Sequence, residues 1–323
     1  MLFLKRSLNI LFVLVALAVA GLVARHFART GWPLHRANFW LVGLAVVVML
    51  AAYAAKAWGW QHLFRQGQRP AMLTLAAAGG AASVGGIALP GRCDEVIRLA
   101  VVRRCRRRRA SIGAVALSLF VLGLLDSAAM TPLASVAIGT SSRIDGWLRV
   151  GFFVVAFAGV GAAAVVLFLP RLARFGAVAR FRLAGWVGEN AASPREAGWA
   201  WLGVAVSWVL RALAVFVLLA ALGVATDFSL ALAFVCAASA SAVLPVAPAG
   251  AAVQAGAGAA ILVASGVHTD DAVAFGVAAQ ALLMATGAVF VLALGAWHAQ
   301  GAFSRSPLGS FSRRSRAAFA RPS

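Results

Sequence analysis

Arg92, Asp94, Glu95 and Arg98 follow directly on the break Leu89-Pro90-Gly91. Two guanidinium forks this close together suit a phosphate, whose oxygens they match bidentately. The two carboxylates beside them suit the task of orienting the arginines and limiting how tightly an anion is held. On a helix, Asp94 and Arg98 are i,i+4 and Glu95 and Arg98 are i,i+3, so each pair shares a face. The same spacing also fits a structural ion-pair network that pins the segment. Three further polar residues interrupt apolar runs: Asp126, Arg211 and Gln254. A charge in mid-membrane costs about 2.5–3.5 kcal/mol on insertion scales, so Asp126 and Arg211 are expected to face the protein interior. For Arg211 the sequence offers Asp126, Glu95 or a bound phosphate as partner. Gln254 can donate and accept without charge, which suits either headgroup contact or an interhelical hydrogen bond.

Other chemistries find little support. No Ser-His-Asp arrangement and no phosphate-binding loop is present, and Gly79-Gly80 and Gly85-Gly86 follow no strand that would make them a nucleotide fingerprint. Cys93, Cys105 and Cys236 form no CxxC, and the five histidines sit at ends of apolar runs without i,i+4 pairing. The expectation is therefore no catalytic residue, no metal and no cofactor.

The elements that must position these residues follow from composition. Of 323 residues 63% are hydrophobic and only 12% charged, with a mean hydropathy of +0.91. A soluble domain of this length carries far more charge. Several apolar runs approach or exceed the ~20 residues a bilayer-crossing helix needs. The fold class is all-α, a polytopic membrane protein. The net charge of +20 agrees with basic cytoplasmic loops and with attraction to anionic lipid. With no soluble domain to carry it, nucleic-acid binding is not expected.

Six spans are predicted: Leu8–Val23, Phe39–Trp58 (closed by an interfacial anchor, Trp58-Gly59-Trp60), Ile112–Ile138 with a kink at Pro132, Val150–Leu169, Trp199–Leu222 and Ala272–Trp297. Leu8–Val23 is read as a retained span, although Ala18-Val19-Ala20 also resembles a signal-peptide cleavage site. Two further segments are broken by proline. One runs from Ala71 to Cys105 and turns at Pro90-Gly91. The other runs from Ser229 to Val267 and turns at Pro245, Pro248 and Gly250. Both are predicted to be re-entrant hairpins, since broken helix at membrane depth must be surrounded by protein or line a cavity.

Sides follow from charge. Arg103–Arg109, Arg171–Arg195 and the tail with Arg305, Arg313, Arg314, Arg316 and Arg321 go inside, and Asp227 and Asp270-Asp271 go outside. Both termini are then cytoplasmic, while Arg25, Arg29 and Arg36 run against the rule. Residues 1–300 form one membrane domain, and 301–323 a basic tail whose composition predicts disorder. Within the domain, residues 5–140 and 147–300 each hold two spans, a broken hairpin and a final span. An odd number of elements per half makes the copies inverted, the plan of many secondary transporters, whose sites lie where broken helices meet.

These residues resemble the membrane region shared by lysylphosphatidylglycerol synthase/flippase proteins and by standalone flippase-like membrane proteins. Pro90, Arg92, Glu95 and Arg98 match its Pro-x-Arg-x-x-Glu-x-x-Arg pattern. Pro245, Pro248, Gly250 and Val253 match its Pro-x-x-Pro-Gly-Gly-x-Gly-Val pattern. Ala249 and Ala252 replace glycines, Gln254-Ala255 stands where an acid is usual, and Leu122-Gly123 stand where Glu-Arg often precedes the aspartate matched by Asp126. The resemblance implies a standalone member without the soluble aminoacyl-transferase domain. It implies movement of lipids between leaflets of a bacterial cytoplasmic membrane, with an anionic phospholipid or polyprenyl phosphate as partner. An accessory subunit or enzyme of lipid or envelope biosynthesis, using Glu95 or Asp126 as acid or base, and a non-transporting scaffold are the other readings.

Overall fold

The computed structural model describes residues 25, 28–29, 37–85, 93–104, 111–140, 146–172, 193–224, 226–243 and 250–303. Within these residues it holds nine α-helices: α1 (Phe39–His62), α2 (Met72–Gly85), α3 (Cys93–Arg104), α4 (Ile112–Thr140), α5 (Trp147–Leu172), α6 (Pro194–Ala221), α7 (Phe228–Val243), α8 (Gly250–Ala264) and α9 (Thr269–Phe303). Five of them, α1, α4, α5, α6 and α9, are long and apolar enough to cross a membrane. The span predicted at Leu8–Val23 and residues 304–323 of the basic tail lie outside the described residues, whereas residues 301–303, expected to be disordered, are the last of α9.

Local signals set the helix ends. Asn38 caps α1, its side-chain oxygen accepting from the Trp40 and Leu41 amides at 3.1 and 3.4 Å. Ser193 caps α6 and accepts from the Glu196 amide at 3.3 Å, with Pro194 at the first turn. Asp94 and Glu95 open α3 and Arg103 and Arg104 close it, which matches charge to the helix dipole at both ends. Pro132 does not end α4, which continues to Thr140.

The best-packed pair is α1 with α6. The two run antiparallel over their whole length. The Asn38 amide donates to the Ala221 carbonyl at 2.9 Å at one end, and His62 meets Glu196 at the other. Between them Gly59 faces Gly203, where a Cβ on Gly59 would stand 2.7 Å from the Ala200 carbonyl oxygen. Backbones this close exploit small residues, the usual route to helix association in lipid, where apolar burial gives no drive.

The short helices pair with each other, α2 with α3 and α7 with α8. Around them the packing repeats. Helix α1 packs on α2 and α6 packs on α7; α2 lies against α9 and α7 against α4; α3 touches α4 and α8 touches α9. Gly80 of α2 and Gly287 of α9 form a second close crossing, with a Cβ on Gly287 3.0 Å from the Gly80 Cα. The outer surface is apolar: Phe157 is 73% exposed and Leu292 71%. Large apolar side chains facing outward suit hydrocarbon rather than water.

Candidate functional site

The chain's single tyrosine, Tyr53, marks the crossing of α1, α2, α6 and α9. Its hydroxyl has two acceptors within reach, Ser83 Oγ at 2.9 Å and the Leu283 carbonyl at 3.1 Å. Ser83 in turn donates to the Gly80 carbonyl at 2.8 Å. The Tyr53 ring lies 5.8 Å from that of Phe290 and 5.5 Å from the guanidinium carbon of Arg211.

Lys56 follows on the same face of α1, three residues on. Its ammonium donates to both oxygens of Asp126 on α4, at 2.8 Å each. The Trp208 indole N–H of α6 donates to Oδ1 of the same carboxylate at 2.9 Å. Arg211, three residues after Trp208, lays its guanidinium carbon 4.9 Å from the Trp208 ring centre. Arg211 thus rests against two aromatic faces, a cation–π arrangement that holds charge without neutralising it. Among the described residues no carboxylate pairs with it.

Arg98 lies on α3, which packs on α2, the helix of Ser83, and touches α4, the helix of Asp126. Asp94 lies 3.5 Å from Arg98, the i,i+4 pair read from the sequence. The Nε atoms of Arg98 and Arg211 and the hydroxyl of Ser207, four residues before Arg211, are buried with no hydrogen-bond partner among the described residues. All three groups can donate, and buried donors call for acceptors.

The remaining predicted site residues separate from the cluster or fall outside the described residues. Glu95 is exposed on α3. Gln254 is half-buried in the first turns of α8, which packs on α7 and α9 and brings it no hydrogen bond to the cluster. Gly250 begins α8. Pro90, Gly91, Arg92, Pro245 and Pro248 lie outside the described residues.

Of the three partners the sequence offers Arg211, Asp126 is instead held by Lys56. Lys56 lies within the predicted span Phe39–Trp58, and the helix that carries it runs on to His62. The supposed anchor Trp58-Gly59-Trp60 is divided in role. Trp58 is at the surface near Trp199, whereas Trp60 is 2% exposed and donates to Ser118 at 3.0 Å. The signal for Lys56 was its rarity, since it is one of two lysines in the chain.

A second ionic cluster closes the other end of the α1–α6 pair. Glu196 Oε2 lies 2.6 Å from His62 Nδ1 and accepts from Arg69 at 2.7 Å. The Ser193–Glu196 spacing is a capping-box signature that foretells where α6 begins.

The sequence profile described as Lysylphosphatidylglycerol synthase TM region matches residues 6–295. The chain belongs to this family. The match takes in every helix from α1 to α8 and most of α9. No curated protein matches the chain. Among the described residues of this family member, Lys56 is bonded to Asp126, Asp94 lies beside Arg98 on α3, and the Arg211 guanidinium is lodged between aromatic rings.

Proposed function

We propose that the chain is a lipid transporter of the flippase type, moving an anionic or polyprenyl-phosphate-linked lipid between leaflets of the cytoplasmic membrane. The observation that carries this reading is Arg211. It lies ten residues before the end of α6, roughly 15 Å along the axis at 1.5 Å per residue. At that depth a guanidinium without a carboxylate is costly, and its buried Nε lacks an acceptor. A lipid phosphate supplies both the charge and the acceptor oxygens. Arg98 contributes a second fork from α3, whose own acid, Asp94, stands at a looser 3.5 Å.

The same proposal takes α2–α3 and α7–α8 as re-entrant hairpins, and residues 5–140 and 147–300 as inverted copies. Support comes from the packing. Exchanging α1 with α6, α2 with α7, α3 with α8 and α4 with α9 converts most of the contacts around the hairpins into one another. An axis of this kind passes between α1 and α6, and rocking one copy against the other about it would open the Arg211 region to each side in turn. Both termini then face the cytoplasm. Transport without chemical change of the lipid, metal or cofactor is part of this reading.

The test is reconstitution of the full chain into liposomes carrying a headgroup-labelled phosphatidylglycerol or a labelled polyprenyl phosphate. Native protein is expected to expose the inner-leaflet label to an outside quencher. Arg98→Ala and Arg211→Ala are expected to abolish this while still eluting as folded protein. Unchanged translocation in both variants overturns the reading.

A further inference from the structure

Asp126 and Arg211 meet the same indole and yet do not meet each other. The carboxylate takes the Trp208 N–H at the ring's edge, and the guanidinium lies on its face. In a weakly polar interior the ordinary partner of a guanidinium is a carboxylate, held by two parallel hydrogen bonds. The partner is one indole away and is already taken. Lys56 occupies both of its oxygens, and neither side chain is more than about a quarter exposed, at 16% and 22%.

An apolar residue at position 126 would avoid the conflict, but a buried indole N–H needs an acceptor. Asp126 supplies that acceptor and so fixes the ring under Arg211. The carboxylate then carries a charge that would draw Arg211 away from any anion. Lys56 cancels that charge.

We propose that Lys56 is a charge guard: by neutralising Asp126 it leaves the Arg211 guanidinium free to take the phosphate group of a lipid. Asp126 and Lys56 are positioning residues on this account, and neither touches the anion. The inference rests on the reading that Arg211 holds a lipid phosphate, and the test below separates the two.

The full chain in detergent is titrated with short-chain phosphatidylglycerol, and heat of binding is recorded for each variant that keeps a cooperative thermal transition. Lys56→Gln is expected to weaken binding about tenfold although Arg211 is intact, because Asp126 is released toward it. Lys56→Gln/Asp126→Asn is expected to return to within about threefold of the native chain, since no charge is then left to guard against. Asp126→Asn alone keeps an acceptor for Trp208 and frees the Lys56 charge, so it is expected to bind tighter than native. This last variant carries the test even where Lys56→Gln fails to fold. Native affinity in Lys56→Gln, no recovery in the double variant, or weaker binding in Asp126→Asn each overturns the charge guard. Native affinity in Arg211→Ala instead overturns the phosphate reading itself, whatever the Lys56 series does.

Discussion

Lys56 of α1 grips Asp126 of α4 through both carboxylate oxygens at 2.8 Å, joining two spans that otherwise pack mainly against other helices. Pairs of this kind are worth little when whole and cost much when halved, because the orphaned charge stays buried. Lys56→Met is expected to destabilise the fold by about 3 kcal/mol, toward the low end for buried pairs, because both side chains keep some exposure. Lys56→Met/Asp126→Leu should recover most of that loss. It should still fall short of native by about 1 kcal/mol, since the Trp208 N–H loses its acceptor. Thermal unfolding of the three proteins in one detergent measures the difference.

Gly59 and Gly203 make the opposite kind of contact, one with no side chain at all. A Cβ on Gly203 would stand 2.7 Å from the Gly59 Cα, whereas one on Gly43 meets nothing within 4 Å. Glycine in an open helical position costs about 1 kcal/mol against alanine. Gly43→Ala is therefore expected to raise the melting temperature or leave it level. Gly59→Ala and Gly203→Ala are expected to lower it, by about 1–3 kcal/mol of overpacking strain. Equal shifts at all three positions would contradict the close crossing of α1 and α6.

The membrane class, the five described spans and the pairing of short helices were legible because apolar runs and proline breaks act locally along the chain. Asp94 with Arg98 was legible for the same reason, being one turn apart on one helix. Lys56 with Asp126 was not, because which helices become neighbours depends on packing that periodicity does not encode. Two tryptophans flanking a glycine look alike whether they mark an interface or a helix crossing, so the buried Trp60 is not told from the exposed Trp58 by sequence. Tyr53 and Trp208 are not legible as site residues, because aromatic residues in an apolar run carry no sign of the polar edge they will bury. Cost alone marks Arg211 as interior, but no local pattern marks its aromatic cradle.

At the far end of the α1–α6 pair, Glu196 receives both His62 and Arg69 while opening α6. Its side chain is 26% exposed, so water and salt screen the cluster. Glu196→Gln keeps the reach and removes the charge, and is expected to cost about 0.5–1 kcal/mol, including the lost interaction with the helix dipole. The difference from native should shrink when unfolding is repeated in 1 M salt, where the Debye length is about 3 Å. A loss of the same size in both conditions would assign it to packing instead.

Tyr53 separates the two supports of Arg211. Its hydroxyl serves α2 and α9 through Ser83 and Leu283, while its ring serves the guanidinium. Hydrogen bonds between membrane helices average about 0.6 kcal/mol, so Tyr53→Phe is expected to be mildly destabilised and to translocate labelled lipid close to the native rate. Tyr53→Leu removes the aromatic face as well. The ring's attraction for a desolvated guanidinium is about 2 kcal/mol, so this variant is expected to lose anionic-lipid binding roughly tenfold or more while remaining folded. Running both variants beside Trp208→Leu shows whether the two rings act as one cradle. If they do, the double Tyr53→Leu/Trp208→Leu variant loses no more than the worse single one, because one displaced guanidinium cannot be displaced twice.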